Sequence, residues 1–215
     1  YIGEHANAEL TEVTVNKNTI HTVSSRSYGG GIYKGNNGTM LLEDCTVTQN
    51  GESTVLEDTG DPSVDDSDTD DIDIDENEND DNAYGEDRGI MGGGIYINST
   101  GGTTTIAGNT LISRNKAGYG GGIGGGKITV QDTKETSLSD ASAGVRIEHN
   151  YSRLEGGGIY ASTVTLKGHT KVRRNTASAS GGGISGSTVY LQDETDIVKN
   201  RAGGEGGGIY GTVTR

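Results

Sequence analysis

The stretch Gly156-Gly157-Gly158-Ile159-Tyr160 is one of six versions of a phrase that organises the whole chain. Each version has three glycines followed by isoleucine, and tyrosine follows the isoleucine in four of them. The six isoleucines are Ile32, Ile95, Ile123, Ile159, Ile184 and Ile209. The glycines Gly157, Gly182 and Gly207 are 25 residues apart (182 − 157 and 207 − 182). Recurrence at a fixed period of this size indicates a repeat architecture.

A second motif recurs in phase with the first: an aliphatic residue stands three positions before an asparagine. Its asparagines are Asn18, Asn50, Asn115, Asn150, Asn175 and Asn200. Between the glycines and the asparagine, apolar and polar residues alternate, as in Val164-Thr165-Leu166. Alternation with period two is typical of a β-strand. We therefore predict a Gly-Ile-Tyr strand, a Val-x-Leu strand and a Thr-x-Val strand in each repeat, with no room for a helix.

Strands that recur at one period can stack on their own copies, about 4.8 Å apart, so that each repeat becomes one coil. The sequence therefore predicts an all-β parallel β-helix, or β-solenoid, with about 25 residues and three short strands per coil and roughly six to seven coils. In such a stack every side-chain position becomes a ladder. The isoleucines of the glycine phrase are predicted to form one inner ladder. A second inner ladder is predicted from Leu41, Ile106, Val130, Leu166 and Leu191.

The asparagines are predicted to form a hydrogen-bonded ladder, in which side-chain amides bond up and down the stack. Its members are Asn50, Asn115, Asn150, Asn175 and Asn200. Asparagine also tolerates a left-handed backbone, so we expect it to form the sharp corner. The three glycines would allow tight bending and close approach between coils.

The pairing of GGGIY with an aliphatic-x-x-Asn motif resembles the GGA(I/L/V)–FxxN repeat of chlamydial polymorphic outer-membrane proteins. The resemblance covers nearly all of the chain outside residues 51–88. The chain has no phenylalanine, and valine or isoleucine takes its place in the repeat. The resemblance implies a right-handed parallel β-helix, in agreement with the usual hand of crossovers. It also implies a surface or adhesive role, outside the cell or on its surface.

The acidic charge of the chain is concentrated where the period is interrupted. Residues 57–87 hold 16 of the 31 acidic residues and no lysine or arginine, in a chain of net charge −14. A segment with so few apolar residues cannot bury enough surface to order itself. We predict one β-helix domain over residues 1–215, with an acidic, flexible insertion at residues 51–91.

The insertion contains candidate calcium ligands, which are Asp66, Asp68, Asp70, Asp73 and Asp75. The first three have the opening spacing of an EF-hand loop. The sixth position of that loop is Asp71 instead of glycine, and the twelfth is Asn77 instead of glutamate. A solvated loop is therefore favoured over a calcium site, and no other cofactor is predicted.

The residue before each ladder asparagine is usually basic, and stacking would align these residues in one row. The row comprises Lys17, Gln49, Arg114, His149, Arg174 and Lys199. One interpretation is that long side chains extend along the corner and keep it soluble. The other is an anion-binding row, with an acidic glycan or the acidic insertion as the anion. Nucleic acid is not expected, because the row is short and has no interleaved aromatic residues.

A polysaccharide lyase or hydrolase would need paired carboxylates, or a metal with a basic residue, in one groove. The candidate acids outside the insertion are Glu43, Asp44, Asp132, Glu148, Glu155, Asp193, Glu194 and Asp196. Asp132 and Asp193 share a coil position with glycines, which favours a role in a turn. No nucleophile motif, phosphate loop or zinc spacing occurs, so no catalytic residue is predicted.

Several single residues carry narrower expectations. Cys45 falls at a position that threonine takes in later coils, and we expect it to be buried in the core. The sequons at Asn37 and Asn98 lie in widened turns, so both asparagines should be accessible for glycosylation. A third sequon begins at Asn150, which should be protected as a member of the inner ladder.

Outward threonines would form a row like that of ice-binding solenoids, interrupted by Met40 and Tyr190: Thr105, Thr129, Thr165 and Thr214.

The repeat and its composition are consistent with two functions. The first is a structural or adhesive extracellular β-solenoid, either a segment of a large surface protein or a self-assembling fibre subunit. The alternative is a glycan-active parallel β-helix enzyme, which the near-identity of successive coils disfavours. The expected partners are further copies of the chain, neighbouring repeats of a longer chain, and host or matrix glycans. Residues 206–215 resemble half a coil that the N-terminal segment of the next copy would complete, so we expect head-to-tail stacking.

No apolar run in the sequence reaches the length of a transmembrane helix. The chain begins with tyrosine and shows no signal peptide, and we therefore expect a mature product or a fragment.

Overall fold

The computed structural model describes residues 1–20, 27–52, 89–98, 102–131 and 143–214. Within these ranges every regular element is a β-strand and the strands pair in parallel, which confirms the predicted all-β parallel β-helix. The strands, in chain order, are β1 (Ala8–Thr11), β2 (Thr14–Asn16), β3 (Thr19–Ile20), β4 (Ser27–Tyr28), β5 (Ile32–Lys34), β6 (Thr39–Glu43), β7 (Thr46–Thr48), β8 (Gly51–Glu52), β9 (Ile90–Met91), β10 (Ile95–Ile97), β11 (Thr103–Ala107), β12 (Leu111–Ser113), β13 (Lys116–Ala117), β14 (Ile123–Gln131), β15 (Arg146–Glu148), β16 (Tyr151–Ser152), β17 (Ile159–Lys167), β18 (Lys171–Arg173), β19 (Thr176–Ala177), β20 (Ile184–Leu191), β21 (Asp196–Val198), β22 (Arg201–Ala202) and β23 (Ile209–Thr214).

The strands form three long sheets along the solenoid and one short pair. The first sheet has the order β1-β6-β11-β14-β17-β20-β23, and β5 and β10 also belong to it. The second has the order β2-β7-β12-β15-β18-β21, and the third has the order β3-β8-β13-β16-β19-β22. The short pair is β4 with β9. The second and third sheets each contain six strands, one from each described coil, in agreement with the predicted number of coils.

A coil differs in one respect from the predicted three strands. β17 contains both the Gly-Ile-Tyr segment and the Val-x-Leu segment in a single strand of nine residues. The two segments are separate strands only where the turn between them is wide, between β5 and β6 and between β10 and β11. The third strand of a coil is instead a pair of residues after the ladder asparagine, such as β19. This short strand was not predicted, because two residues are too few to show period-two alternation.

The isoleucines of the glycine phrase stack in register as an inner column. From Ile32 to Ile184 they are at most 5% exposed, and only Ile209 in the last coil is partly exposed. Cys45 is also buried, as expected, and the Thr110 hydroxyl accepts its backbone N–H. The core is therefore a thin stack of aliphatic side chains, filled by lateral contact between identical positions.

The second inner column differs from the prediction by one residue. Leu42 pairs with Ile106 and is fully buried, whereas Leu41 is half-buried and pairs with Thr105 on the outer face. The prediction of an inward Leu41 was therefore wrong, and Leu41 rather than Met40 interrupts the outward threonine row. The local sequence is apolar at three consecutive positions, so alternation alone does not fix which residues point inward.

All three glycines of the phrase have a steric reason. The first has a positive φ, between 63° and 71° in the six copies, where other residues are strained. A Cβ on the second glycine of the fourth copy, Gly157, would collide with the carbonyl oxygen of Gly182 in the next coil. A Cβ on the third, Gly158, would lie 2.7 Å from the carbonyl oxygen of Gly183 and 3.0 Å from Cγ of Asn175. The backbone conformation therefore requires glycine at the first position, and close coil stacking requires it at the second and third positions where another coil follows.

The two ends of the predicted insertion belong to the solenoid. β8 lies in the third sheet, and β9 pairs with β4. The predicted flexible loop otherwise falls at residues 53–88, which lie outside the described residues.

Candidate functional site

Asn150 shows the geometry of the asparagine ladder. Its Oδ1 accepts hydrogen bonds from the backbone N and from Nδ2 of Asn115, each at 3.0 Å. Its Nδ2 donates to Oδ1 of Asn175 at 3.0 Å and to the carbonyl oxygen of Ile112 at 2.9 Å. The same pattern links Asn18, Asn50, Asn115, Asn150, Asn175 and Asn200. Each amide inside the ladder therefore has partners for its oxygen and for both N–H groups.

The left-handed corner residue stands one position earlier than predicted. Positive φ belongs to the residue before each ladder asparagine, not to the asparagine. These residues are Lys17, Gln49, Arg114, His149, Arg174 and Lys199, with φ between 51° and 56°. A non-glycine residue in this region costs about 1–2 kcal/mol, which the ladder bonds must offset. Asparagine is thus needed for its amide and not for its backbone.

These corner residues form the row for which the sequence analysis considered anion binding. The backbone N of His149 donates to the carbonyl oxygen of Arg173 in the next coil at 3.3 Å, and Arg174 continues this pattern at 3.2 Å. Arg114 and Lys199 are exposed, whereas His149 and Arg174 are half-buried. The row is contiguous, and anion binding by it stays a prediction.

Sequence reasoning missed three basic residues beside this row. Arg146, Lys171 and Arg173 alternate with buried aliphatic residues in β15 and β18, which places them on the outer face of the second sheet. Glu148 is largely buried, and its Oε2 accepts a hydrogen bond from Nε of Arg173 at 2.6 Å. Its Oε1 forms an ion pair with Nη1 of Arg146 at 3.8 Å. The alternation of charged and aliphatic residues was the available signal. The ion pairs with Glu148 reduce the positive charge of this face.

The candidate acids lie at different corners and faces of the described coils. Asp44 and Asp193 occupy one corner with φ of 53° and 60°. Their carboxylates accept hydrogen bonds from the backbone N of Asn109 at 2.8 Å and of Gly168 at 3.3 Å. This is the role in a turn that the sequence favoured for Asp193; Asp132, for which it was also favoured, lies outside the described residues.

No metal centre is found in the part of the chain that the structure describes. No group of three or more His, Cys, Asp or Glu side chains there could hold a metal ion. The calcium candidates lie outside the described residues: Asp66, Asp68, Asp70, Asp73 and Asp75.

An open groove that the sequence did not indicate follows the outer face of the first sheet, with a volume of about 880 Å³. Its aromatic side chains are Tyr96, Tyr160 and Tyr210, each of which follows the isoleucine of a glycine phrase. Its acidic side chains are Glu155 and Glu205, each of which precedes a glycine phrase. Between them lie serines and glycines, including Ser162, Ser185 and Ser187. The residues flanking the phrase, which vary between copies, were the available signal.

Two contacts orient the side chains of this groove. Oγ of Ser185 donates to Oε2 of Glu155 at 2.8 Å. The ring of Tyr160 packs against Tyr119, with 4.9 Å between centroids. Further towards the N-terminal end, Tyr33 and Tyr96 pack with centroids 5.5 Å apart. The tyrosines therefore pack in two groups along the axis, one that contains Tyr96 and one that contains Tyr160.

The three sequons differ in their surroundings. Asn37 is half-buried in the wide turn between β5 and β6, with φ of 57°. Asn98 is half-buried at the end of β10, and its Nδ2 donates to the Tyr33 hydroxyl at 3.3 Å. Asn150 is fully buried in the ladder. Glycosylation at Asn37 and Asn98 stays a prediction.

Lys34 is a buried cation that the sequence patterns did not indicate. It takes the inward position that Ile97 has in the next coil and is 1% exposed. Its Nζ donates to the carbonyl oxygens of Gly35 at 3.2 Å and Asn37 at 2.6 Å. Burial lowers the pKa of the Lys34 ammonium, because loss of solvent disfavours the charged form. Its hydrogen bonds close the wide turn after β5.

The described residues contain no helix long and apolar enough to cross a membrane. Comparison with protein-family models, with curated proteins and with solved structures finds no significant match to the chain.

Proposed function

We propose that the chain is a structural or adhesive extracellular β-solenoid that lengthens by head-to-tail coil stacking. The observation that supports this most directly is the asparagine ladder, whose two ends are complementary. The extracellular or surface location rests on the resemblance of the repeat to surface proteins. The coils that continue the ladder would come from another copy or from further repeats of a longer chain.

The C-terminal end of the ladder has a spare donor. Within the described residues, Nδ2 of Asn175 donates to Ile147 and to Oδ1 of Asn200. Nδ2 of Asn200 donates to the carbonyl oxygen of Val172 and to no other acceptor among the described residues. One N–H of Asn200 is therefore available to a following coil.

The N-terminal end of the ladder has a spare acceptor. Oδ1 of Asn50 accepts from the backbone N of Asn18 at 3.0 Å and from its Nδ2 at 2.8 Å. Oδ1 of Asn18 itself accepts no hydrogen bond from the described residues, and Asn18 is exposed. If Asn18 of the next copy lay one coil beyond Asn200, its Oδ1 could accept the spare N–H of Asn200. Within one copy, Oδ1 of Asn50 accepts from Nδ2 of Asn18 in the same way.

The strands at the two ends also differ in a complementary way. β23 extends the first sheet beyond the last strands of the second and third sheets, and its valine, Val213, is 45% exposed. The first coil provides β1, β2 and β3 to the three sheets. An exposed strand edge presents unpaired N–H and C=O groups, and a contact between unlike ends does not close on itself. The expected product is a filament.

The register places one restriction on this contact. Val213 pairs with Val189 in the preceding coil. The same pairing continues from strand to strand along the first sheet and ends at Ala8, so Val213 and Ala8 occupy equivalent positions in their coils. The end of β23 and the start of the next copy's β1 would thus occupy the same place. Completion of a shared coil requires one of them to move aside.

The test compares the intact chain with deletions of residues 206–215 and of residues 213–215, by light scattering and electron microscopy. The intact chain should form filaments at high concentration. Removal of residues 206–215 should leave folded rods that no longer lengthen, whereas removal of residues 213–215 should leave lengthening intact, since only the overlapping residues are lost. An intact chain that stays monomeric without filaments would contradict self-assembly and leave coils of a longer chain as the partner.

A further inference from the structure

We infer that the groove over the first sheet binds an extended glycan strand without acidic groups, aligned with the solenoid axis. The inference does not depend on head-to-tail stacking, because it rests on side chains within one copy.

The aromatic residues of the groove recur every second coil. Tyr96, Gly124, Tyr160, Ser185 and Tyr210 follow one another in a single column of the first sheet. Successive groove tyrosines are thus separated by two coil spacings, about 9.6 Å, with a small residue between them. A pyranose ring is about as long as one coil spacing. Every second ring of an extended chain would therefore meet the next groove tyrosine, first Tyr96, then Tyr160, then Tyr210.

The carboxylates follow the same two-coil period. Glu155 and Tyr160 flank one glycine phrase, and Glu205 and Tyr210 flank the phrase 50 residues later (205 − 155 and 210 − 160). The coil between them has serine at both flanking positions. Two identical Glu–Tyr units are thus presented at the spacing of a disaccharide. A ligand with a twofold repeat along its length fits this arrangement.

The charges of the groove select against acidic glycans. None of the described residues that line it is lysine or arginine, and it contains two carboxylates. A carboxylate or sulfate on the ligand would be repelled, whereas sugar hydroxyls can donate to Glu155 and Glu205. Tyrosine rings provide flat apolar faces for the C–H groups of the sugar, and Ser162 and Ser187 provide further hydroxyls.

The floor of the groove lets a chain lie close to the sheet. Gly125, Gly126, Gly186 and Gly211 lie along it and have no side chains. Ligand hydroxyls can thus approach the backbone between the tyrosines. Together with the tyrosine rings, this open shape suits an extended polymer that lies flat along the sheet.

The experiment measures binding of neutral hexasaccharides, namely cellohexaose, chitohexaose and mannohexaose, by titration calorimetry, with an acidic oligogalacturonate hexamer as comparison. At least one neutral hexamer should bind, and the acidic hexamer should not. Tyr210→Ala and Glu155→Gln should each weaken binding about tenfold, which is about 1.4 kcal/mol. The matched control is Tyr190→Ala: Tyr190 is 38% exposed and Tyr210 is 41% exposed on the same sheet, but Tyr190 does not line the groove. It should change affinity by less than about twofold.

Several results would overturn the inference. They are failure of all neutral hexamers to bind, equal binding of the acidic hexamer, and an equal effect of Tyr190→Ala. Release of new reducing ends from a bound hexamer would show cleavage, and would replace a binding groove by the enzyme alternative. Circular dichroism and thermal melting of each variant verify that it is folded. Binding should persist in Gly208→Ala, which leaves the residues lining the groove unchanged but should form fewer or shorter filaments, so failure of lengthening and failure of binding are separate outcomes.

Discussion

At the scale of single residues, the fold depends on amides whose hydrogen bonds are all used inside a narrow core. Asn115, Asn150 and Asn175 are at most 1% exposed, and each accepts two hydrogen bonds from the preceding asparagine. A buried polar group left without a partner costs about 1–3 kcal/mol. The ladder is thus a set of mutually dependent bonds, in which one substitution leaves several groups unpaired.

Asn150→Ala should therefore lower the free energy of unfolding by about 2–4 kcal/mol, because it leaves the backbone N and Nδ2 of Asn115 without an acceptor. Urea denaturation measures the change. The matched control is Asn109→Ala, since Asn109 is exposed and accepts one hydrogen bond, from the backbone N of Gly144. That variant should lose less than about 1 kcal/mol. If both variants lost the same free energy of unfolding, the ladder hydrogen bonds would stabilise the fold no more than the single surface bond of Asn109 does.

At the scale of elements, the glycine phrase is where one coil meets the next most closely. Its third glycine lies against the following coil and against the asparagine of its own coil, as Gly158 does with Gly183 and Asn175. In the last coil the same position has no such neighbours. A Cβ on Gly208 would have its nearest atom, Cγ2 of Ile197, at 3.5 Å, an ordinary contact distance.

The same substitution should consequently have opposite outcomes at two equivalent positions. Gly158→Ala should lower the free energy of unfolding by about 1–3 kcal/mol, because overpacking forces adjacent coils apart. Gly208→Ala should change it by less than about 0.5 kcal/mol. Thermal and urea unfolding of both variants measure the difference. If Gly208→Ala were as harmful as Gly158→Ala, a cause other than stacking on the next coil would be required.

At the scale of the whole molecule, a uniform stack distributes its surface features along one axis. The basic corner row precedes the ladder asparagines, and the groove with Glu155 and Glu205 lies beside the glycine phrases, so the two features occupy different corners of each coil. Both would lengthen with each added coil. A solenoid that extends by stacking would thus repeat both surface features along its axis without any new fold.

Gly208→Ala also tests lengthening in a chain whose own fold it should not disturb. In a shared coil, Asn18 of the next copy would lie beside Gly208 as Asn175 lies beside Gly158, 3.0 Å from an added Cβ. The variant should remain folded and should form fewer or shorter filaments than the parent in electron micrographs. Tyr190→Ala should lengthen normally. Filaments of unchanged length from Gly208→Ala would argue against the proposed completion of the coil.

The sequence by itself determined the repeat, the all-β class, the parallel stacking and the membership of the isoleucine column. These follow from a motif that every coil repeats, so that identical side chains must coincide once the coils are stacked. It also identified the asparagines, because an amide next to a core must find partners and the only regular partner is its own copy in the next coil.

The tertiary structure alone decided the features that depend on what lies beside a residue in the next coil. Leu42 points inward and Leu41 outward because each coil adopts the register of the next, and three apolar residues in a row leave that choice open locally. The left-handed backbone belongs to Arg174 and not to Asn175, since the asparagine must direct its amide along the stack. The groove contains residues about 50 positions apart, such as Glu155 and Glu205, which line one surface only because coils stack.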